Sequence, residues 1–284
     1  MPPTAFFIDL DGVVYRGQRC LDGAAAFIHK LETGGHPYLF LTNNSAHHPD
    51  EYVRKLHACG IAARRAQVYT ASDAAADALR EELAGRPVFV LGETGLIRVL
   101  EEAGVPVATG EGPRTTAGPS GAAGRPPAEA AAVLVGELRH LDYAALCQAA
   151  RLVAAGAPLF ATNPDRTIPD EDGFIVGCGS ITAVLETATG QRARYFGKPN
   201  PDMARRAARR LGVPLEHCAV IGDGWETDIA LAHALGLPSI LIQAGAATVA
   251  GHGFRPDQQA ARPTWTVPSL AALLDADLDA ILGN

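Results

Sequence analysis

Short apolar runs that end in polar residues or glycine recur along the chain, and they predict buried parallel strands. We place four of these runs in one core sheet: residues 6–9, 38–41, 195–196 and 219–221. Helical segments lie between the runs, and the best marked one starts at Pro201, after an N-cap at Asn200, and closes at Gly212. Strands that alternate with helices predict an α/β fold built on a doubly wound, parallel, Rossmann-like sheet.

The segment between the second and third of these runs is too long for a single crossover connection. It has its own alternating pattern, with apolar runs at residues 88–92, 133–136 and 159–162 and helical segments near residues 94–102 and 142–155. We therefore predict a second α/β domain at residues 77–179. It would be inserted between two parts of a core domain, residues 1–76 and 180–284.

Composition is that of an ordinary globular chain. Of the 284 residues, 48% are hydrophobic and 19% are charged, which is enough apolar material for two domains. The net charge of -7, without any basic run, argues against a nucleic-acid polymer or an anionic membrane as the main partner. The sequence shows neither a bilayer-spanning apolar stretch nor a signal-peptide pattern, so we predict a cytoplasmic protein.

Cysteine and histidine usage gives no sign of a metal centre built from these residues. The five cysteines are scattered and odd in number, a pattern that favours free thiols in a reducing compartment over a disulfide framework or a thiolate zinc site. The nine histidines form no His-Glu-x-x-His pattern, so we do not expect catalytic zinc.

Asp9, Asp11 and Gly12 directly follow the first apolar run, at the predicted carboxyl end of a strand. In open α/β sheets this edge is where ligands bind. One carboxylate there could attack phosphorus while the other transfers protons, and two crowded acids would favour a hard cation such as Mg2+. The same residues also suit an Asx-type turn, in which the acids bind only nearby backbone.

Two further predicted strand ends carry groups that suit an anion. Thr42 and Asn43 could hold phosphate oxygens through a hydroxyl and a backbone N–H without adding negative charge. Lys198 stands just before a well-capped helix, so its ammonium and the helix N-terminus would both favour an anion. Ordinary turn chemistry and an exposed loop lysine are the alternatives.

The fourth run ends at a second acidic cluster. Asp223 could supply another metal carboxylate, and Asp228, about one helical turn further on, could orient Asp223 or Lys198. A strand followed by a helix with an acidic first turn is the alternative for this segment. A chance occurrence of all four groups together is less expected than a chance occurrence of any one of them. The combination therefore favours a functional site.

In this order, the segments around Asp9, Thr42, Lys198 and Asp223 resemble the four motifs of the haloacid dehalogenase (HAD) superfamily of Mg2+-dependent phosphohydrolases. The insertion between the second and third motifs is similar to that of the NagD-like, p-nitrophenylphosphatase-type branch, subclass IIA, whose members carry a C2-type α/β cap domain there. The resemblance extends to residues 11–17, 161–165 and 262–265, so it covers nearly the whole chain.

The resemblance implies a catalytic role for each charged motif residue. Asp9 would be the nucleophile and a metal ligand, while Asp11 would be the general acid/base and would give its backbone carbonyl to Mg2+. Asp223 would ligate the same ion, with Asp228 in support. Lys198 would neutralise the phosphoryl group and the surrounding carboxylates.

The resemblance also implies how substrate is held. Gly12, Thr42 and Asn43 would bind the phosphoryl group together with Lys198, and Asn163 in the cap is a candidate substrate contact.

The resemblance also bears on substrates and partners. Relatives act on small phosphorylated metabolites such as nucleoside monophosphates and sugar phosphates. Their cap surfaces commonly pair, which makes a homodimer possible. A phosphotransferase or mutase, and a non-catalytic phosphate-binding module, are the other functions considered.

The sequence departs from the family pattern at two places. Gly224 stands where relatives more often carry a polar side chain. Residues 109–127, rich in glycine, proline and small side chains, form a predicted surface loop that is longer than usual.

Overall fold

The computed structural model describes residues 5–108, 130–170, 173–243 and 261–278; the predicted loop at 109–127 lies outside these residues. The strands, in chain order, are β1 (Ala5–Ile8), β2 (Tyr15–Arg16), β3 (Arg19–Cys20), β4 (Tyr38–Thr42), β5 (Val68–Thr70), β6 (Val88–Leu91), β7 (Ala132–Val135), β8 (Leu159–Ala161), β9 (Thr167–Asp170), β10 (Gly173–Val176), β11 (Arg194–Tyr195), β12 (Cys218–Gly222), β13 (Ser239–Ile242) and β14 (Trp265–Val267). The α-helices are α1 (Ala24–Thr33), α2 (Pro49–Ala58), α3 (Ala71–Leu83), α4 (Thr94–Glu102), α5 (Tyr143–Ala154), α6 (Cys178–Thr189), α7 (Pro201–Leu211) and α8 (Ala230–Leu235).

The strands form two parallel sheets and two small hairpins. The larger sheet has the order β14-β13-β12-β1-β4-β5, and the smaller one has the order β11-β8-β7-β6. The pairs β2–β3 and β9–β10 are antiparallel. The predicted α/β architecture with a parallel core sheet is confirmed. None of the described helices has the length and apolar character needed to cross a membrane.

Both faces of the larger sheet are covered, which explains why its strands are continuous apolar runs. Alternate residues of β1 point to opposite faces, so Phe6 and Phe7 belong to different hydrophobic clusters. The cluster around Phe7 continues into Val90 and Leu134 of the smaller sheet. One apolar core therefore connects the two sheets.

Local sequence signals account for the helix ends that border the site. At α7 the Asn200 side chain accepts the Asp202 N–H at 3.0 Å, and Gly212 closes the helix with a φ of 72°. At α3 the hydroxyl of Thr70 and the carboxylate of Asp73 form a reciprocal capping box. The sequence predicted α7 from these residue types, while α3 was not predicted.

The third predicted core strand belongs to the other sheet. The β11 strand pairs with β8, with Tyr195 opposite Ala161, and the N–H of Gly197 continues the contact to Thr162 O at 2.6 Å. The assignment of residues 195–196 to the core sheet was therefore wrong. An apolar run of two residues is too short to indicate which strand it will pair with. The smaller sheet thus includes residues beyond 179, while the division into domains stays a prediction.

Cys20 and Cys59 form a disulfide, contrary to the expectation of five free thiols. The β2–β3 hairpin brings Cys20 to the C-cap of α2, where Cys59 lies, across 39 residues of sequence. The scattered spacing of the cysteines in the sequence cannot reveal a disulfide formed by tertiary packing.

The other three cysteines, Cys147, Cys178 and Cys218, are free. The prediction of a cytoplasmic location loses the support it took from the cysteines, because disulfides persist mainly in oxidising compartments.

Removal of this disulfide is expected to destabilise the protein substantially. For a closed loop of this size, the chain-entropy model gives about 4 kcal/mol of stabilisation. We expect Cys20→Ser to lower the free energy of unfolding by about that amount in urea titrations. Cys147→Ser is the matched control. Identical unfolding curves for Cys20→Ser and the untreated wild type would show that the bond is absent in solution.

Candidate active site

Three strand ends converge at one edge of the larger sheet. The central strand β1 lies between β4 and β12, with Ile8 opposite both Phe40 and Ile221. Asp9, Thr42 and Asp223 end or follow these strands, so parallel pairing brings them to one place. The arrangement is the one that places ligands outside the carboxyl ends of strands in α/β sheets.

Lys198 lies at the centre of the acidic residues although its strand is in the other sheet. Its Nζ donates to Asp9 Oδ1 at 2.5 Å, to Asp228 Oδ1 at 2.7 Å and to Leu41 O at 2.8 Å. Burial lowers the pKa of Lys198, but the carboxylates of Asp228 and Asp9 more than reverse this, so the net shift is upward. The ammonium therefore stays charged although only 2% of the Lys198 side chain is exposed.

The Asn43 side chain holds Lys198 in place. Asn43 Oδ1 accepts the Lys198 backbone N–H at 2.7 Å, and Asn43 Nδ2 donates to Lys198 O at 3.0 Å. The same Nδ2 donates to Asp165 Oδ2 at 3.1 Å. The side-chain amide of Asn43 is thus used to position Lys198 and Asp165. A phosphate contact by the backbone N–H of Asn43 stays a prediction, as does one by Thr42, whose Oγ1 accepts the Asn44 N–H at 3.1 Å.

Three carboxylates at this edge could hold a metal ion. Asp9, Asp223 and Asp228 each offer an oxygen, and these oxygens lie within 4.8 Å of one another. Burial raises the pKa of Asp9 well above its usual range, and Asp228 and Asp223 add to the rise. Burial and Asp228 raise the pKa of Asp223 to about 7. Hard oxygen donors, and three carboxylates that share the single ammonium of Lys198, fit a divalent cation such as Mg2+.

Glycines make this close approach possible. Gly12 has a φ of 86°, and a Cβ there would overlap the carboxylate of Asp223. Gly224, where the sequence departs from the family pattern, has an ordinary φ of -87°, but a Cβ there would overlap Thr227 Oγ1 and lie 3.0 Å from Asp228 Oδ2. The Gly224 N–H donates to that same oxygen at 3.2 Å. A side chain at Gly224 would therefore require the Thr227 hydroxyl to move and would crowd Asp228.

Asp11 lies at the more open side of the site. Nearly half of its side chain, 47%, is exposed, and partial desolvation raises its pKa. Lys55 of α2 lies 4.0 Å from Asp11 Oδ1, and its Nζ is 3.5 Å from the centroid of the Tyr15 ring. Sequence reasoning missed Lys55, because nothing in the pattern of α2 distinguishes it from other helical lysines.

The smaller sheet closes over the loop that follows β4. Ser45 Oγ lies 2.9 Å from Thr162 Oγ1 and accepts the Glu137 N–H at 3.0 Å. Asn163 Nδ2 donates to Asn43 O at 2.9 Å, and its Oδ1 accepts the Asp165 N–H at 3.1 Å. The Asn163 amide thus joins the two sheets, and its predicted contact with substrate stays a prediction.

Sequence reasoning also missed Glu137. This residue follows Gly136 at the end of β7, so it repeats the pattern of an apolar run that stops at an acid, as seen at Asp9 and Asp223. The same rule, applied to the inserted segment, would have found it.

Known proteins match both the sequence and the fold. A family model described as haloacid dehalogenase-like hydrolase matches residues 6–106, and one described as HAD-hydrolase-like matches residues 195–273. Acid sugar phosphatase of Staphylococcus aureus (strain MRSA252) is 35% identical over 245 residues, 86% of this chain and 88% of that protein. The structure of 4-nitrophenylphosphatase from Thermotoga maritima has a TM-score of 0.82 and 28% identity, with 97% of each chain covered. NagD from E. coli K-12 has a TM-score of 0.79 and 30% identity, covering 95% of this chain and 98% of NagD.

The parallel core, its acidic edge and these matches show that the chain belongs to the haloacid dehalogenase-like hydrolases. Within them it is a NagD-like phosphatase of subclass IIA, of the p-nitrophenylphosphatase type. It is a hydrolase of phosphoric monoester bonds, and the predicted family is confirmed.

Proposed function

We propose that the chain hydrolyses small phosphomonoesters with Mg2+, through a phospho-aspartate on Asp9. The observation that carries this proposal is the position of the Lys198 ammonium, which bridges Asp9 and Asp228 at 2.5 and 2.7 Å. A nucleophilic carboxylate needs a nearby cation when a phosphoryl group with its own negative charge approaches. Asp9 has that cation, and it lies at the strand edge where ligands bind.

Each proposed step uses a residue of this edge. An Asp9 carboxylate oxygen would attack phosphorus, forming the acyl phosphate while the bond to the leaving oxygen breaks. Asp11 would give its proton to that oxygen and then take a proton from the water that attacks the acyl phosphate. Thr42 and the backbone of Gly12 and Asn43 would hold the phosphoryl oxygens.

Asp9, Asp223 and the backbone carbonyl of Asp11 would hold Mg2+, and Asp228 would orient the site from beside Lys198. When bound, Mg2+ would neutralise charge on the phosphoryl oxygens and on the crowded carboxylates. Lys198 would balance the carboxylates that remain.

The proposed substrates are small phosphorylated metabolites. Support comes from the relatives, which are named acid sugar phosphatase and 4-nitrophenylphosphatase. The net charge of -7 argues against a nucleic-acid polymer as the substrate.

The requirement for Mg2+ can be tested with p-nitrophenyl phosphate. We expect removal of divalent cations by EDTA to lower the rate of phosphate release by at least about 100-fold, with recovery when Mg2+ is restored. Asp223→Asn should require at least about 10-fold more Mg2+ for half-maximal activity, because it removes a charged ligand. Asp275→Asn, at an exposed position, serves as the control. Equal rates with Mg2+ and with EDTA would refute the metal requirement.

A further inference from the structure

The proposed general acid, Asp11, has a neighbouring cation that the proposed mechanism does not use. Lys55 of α2 lies 4.0 Å from Asp11 Oδ1, and within the described part of the chain no other cation comes so close to this carboxyl group. The Asp11 side chain is 47% exposed, whereas that of Lys55 is 24% exposed. A carboxyl group with this much freedom needs a neighbour that favours one of its orientations. The charge of Lys55, which faces Oδ1, can do so.

The ring of Tyr15 fixes the position of the Lys55 ammonium. Lys55 Nζ lies 3.5 Å from the centroid of this fully buried ring, a contact that attracts a cation to the ring face. The backbone of Tyr15 belongs to the turn that carries Asp11. Tyr15 O accepts the Gly12 N–H at 2.7 Å, and an isolated bridge pairs Tyr15 with Asp11. The ammonium therefore contacts a ring and a carboxyl group that move together.

The disulfide joins the two elements that carry this contact. Cys20 lies directly opposite Tyr15 in the β2–β3 hairpin, and Cys59 follows Lys55 by four residues, at the C-cap of α2. Residues four apart along a helix lie on the same face, about one turn from each other. The Cys20–Cys59 bond therefore ties the strand of Tyr15 to the helix of Lys55 close to the point where the two side chains meet. A covalent bond and a ring contact together hold the ammonium beside Asp11.

We propose that Lys55 is a positioning residue that directs the proton of Asp11 to the leaving oxygen. The inference rests on the proposed function, in which Asp11 protonates that oxygen. A positive charge beside Oδ1 disfavours a proton there, so the proton is carried by the other oxygen, Oδ2. The Oδ2–H bond breaks as the bond between phosphorus and the leaving oxygen breaks, and the proton passes to the leaving oxygen. Lys55 acts on this step only through Asp11.

The test compares kcat/KM for benzyl phosphate and p-nitrophenyl phosphate. Benzyl alkoxide needs a proton as it leaves, whereas p-nitrophenolate is a weak base and leaves without one. The ratio of the two kcat/KM values reports transfer to Asp9, because hydrolysis of the acyl phosphate is common to both substrates. We expect Lys55→Met to lower kcat/KM for benzyl phosphate about 5-fold more than for p-nitrophenyl phosphate, the size of effect of one partly exposed ion pair. Arg54→Met, which removes an exposed cation from the same helix, is the matched control and should keep the wild-type ratio.

A double-mutant cycle shows whether Lys55 acts through Asp11. Asp11→Asn removes the proposed acid, so we expect it to lower the benzyl to p-nitrophenyl ratio by at least about 100-fold. In that background Lys55→Met should change the ratio no further, because no proton is left to direct. A merely structural role of Lys55 would lower kcat/KM for both substrates equally, and it would do so in both backgrounds.

The outcomes separate this inference from the proposed function. A wild-type ratio in Lys55→Met, or a further 5-fold loss when Lys55→Met is added to Asp11→Asn, would overturn the positioning role. If Lys55→Met fails to fold, the ratio of Lys55→Gln, which keeps a polar side chain, decides. A wild-type ratio in Asp11→Asn would instead refute the acid role of Asp11 in the proposed function. Absence of p-nitrophenyl phosphate turnover by the wild type in Mg2+ would refute that function as a whole.

Discussion

Asp9→Asn is expected to reduce kcat by at least about 1000-fold, because the amide cannot act as the nucleophile that forms the acyl phosphate. Asparagine keeps the shape of the side chain and can still accept the hydrogen bond from Lys198, so the fold should persist. Stopped-flow measurement with p-nitrophenyl phosphate gives the rate, and circular dichroism reports the fold.

A second measurement distinguishes a nucleophile from a mere metal ligand. Acid quenching during turnover of radiolabelled substrate should trap label on the wild-type protein, sensitive to hydroxylamine as an acyl phosphate is, and no label on Asp9→Asn. Asp202→Asn, at an exposed position on α7, is the matched control. Wild-type turnover by Asp9→Asn would make the nucleophile assignment wrong. A large loss of rate in Asp9→Asn with no label trapped on the wild type would leave Asp9 a role in metal binding only.

Lys198→Met is expected to damage both activity and stability. Removal of the cation leaves Asp9 and Asp228 buried without their shared partner, and breaking a buried ion pair in this way costs about 3–5 kcal/mol. We expect a loss of that size in the free energy of unfolding, measured in urea without Mg2+, and a loss of at least about 100-fold in kcat. Lys55→Met should cost less than about 1 kcal/mol, because Lys55 is partly exposed and 4.0 Å from its acid.

The double variant Lys198→Met/Asp228→Asn separates the two effects. Neutralising Asp228 removes one of the stranded charges, so part of the stability should return. Activity should not return, because the cation beside the nucleophile is still missing. Recovery of activity together with stability would mean that Lys198 only supports the fold.

The sequence predicted the strands that carry Asp9, Thr42 and Asp223 because each is buried on both faces and therefore reads as a continuous apolar run. It misplaced the strand before Lys198, since two residues do not specify which sheet they join. The position of Lys198 depends instead on the Asn43 side chain, a contact across 155 residues of sequence. The Cys20–Cys59 bond and the approach of Lys55 to Asp11 likewise result from packing of the β2–β3 hairpin and α2, which no local pattern reports.

Asn43 has a consequence for how substrate range can change in this protein. Its one amide binds the backbone of Lys198 and the carboxylate of Asp165, so the residue that steadies the proposed phosphate site also grips the inserted segment. A chimera that takes this segment from a relative would keep this contact only if its residue 165 met Asn43 in the same position, and a shift there would reach Lys198 through Asn43. We therefore expect the exchange to succeed only when residues 43–45 are transplanted with the segment. The loop and the segment would have to be exchanged together.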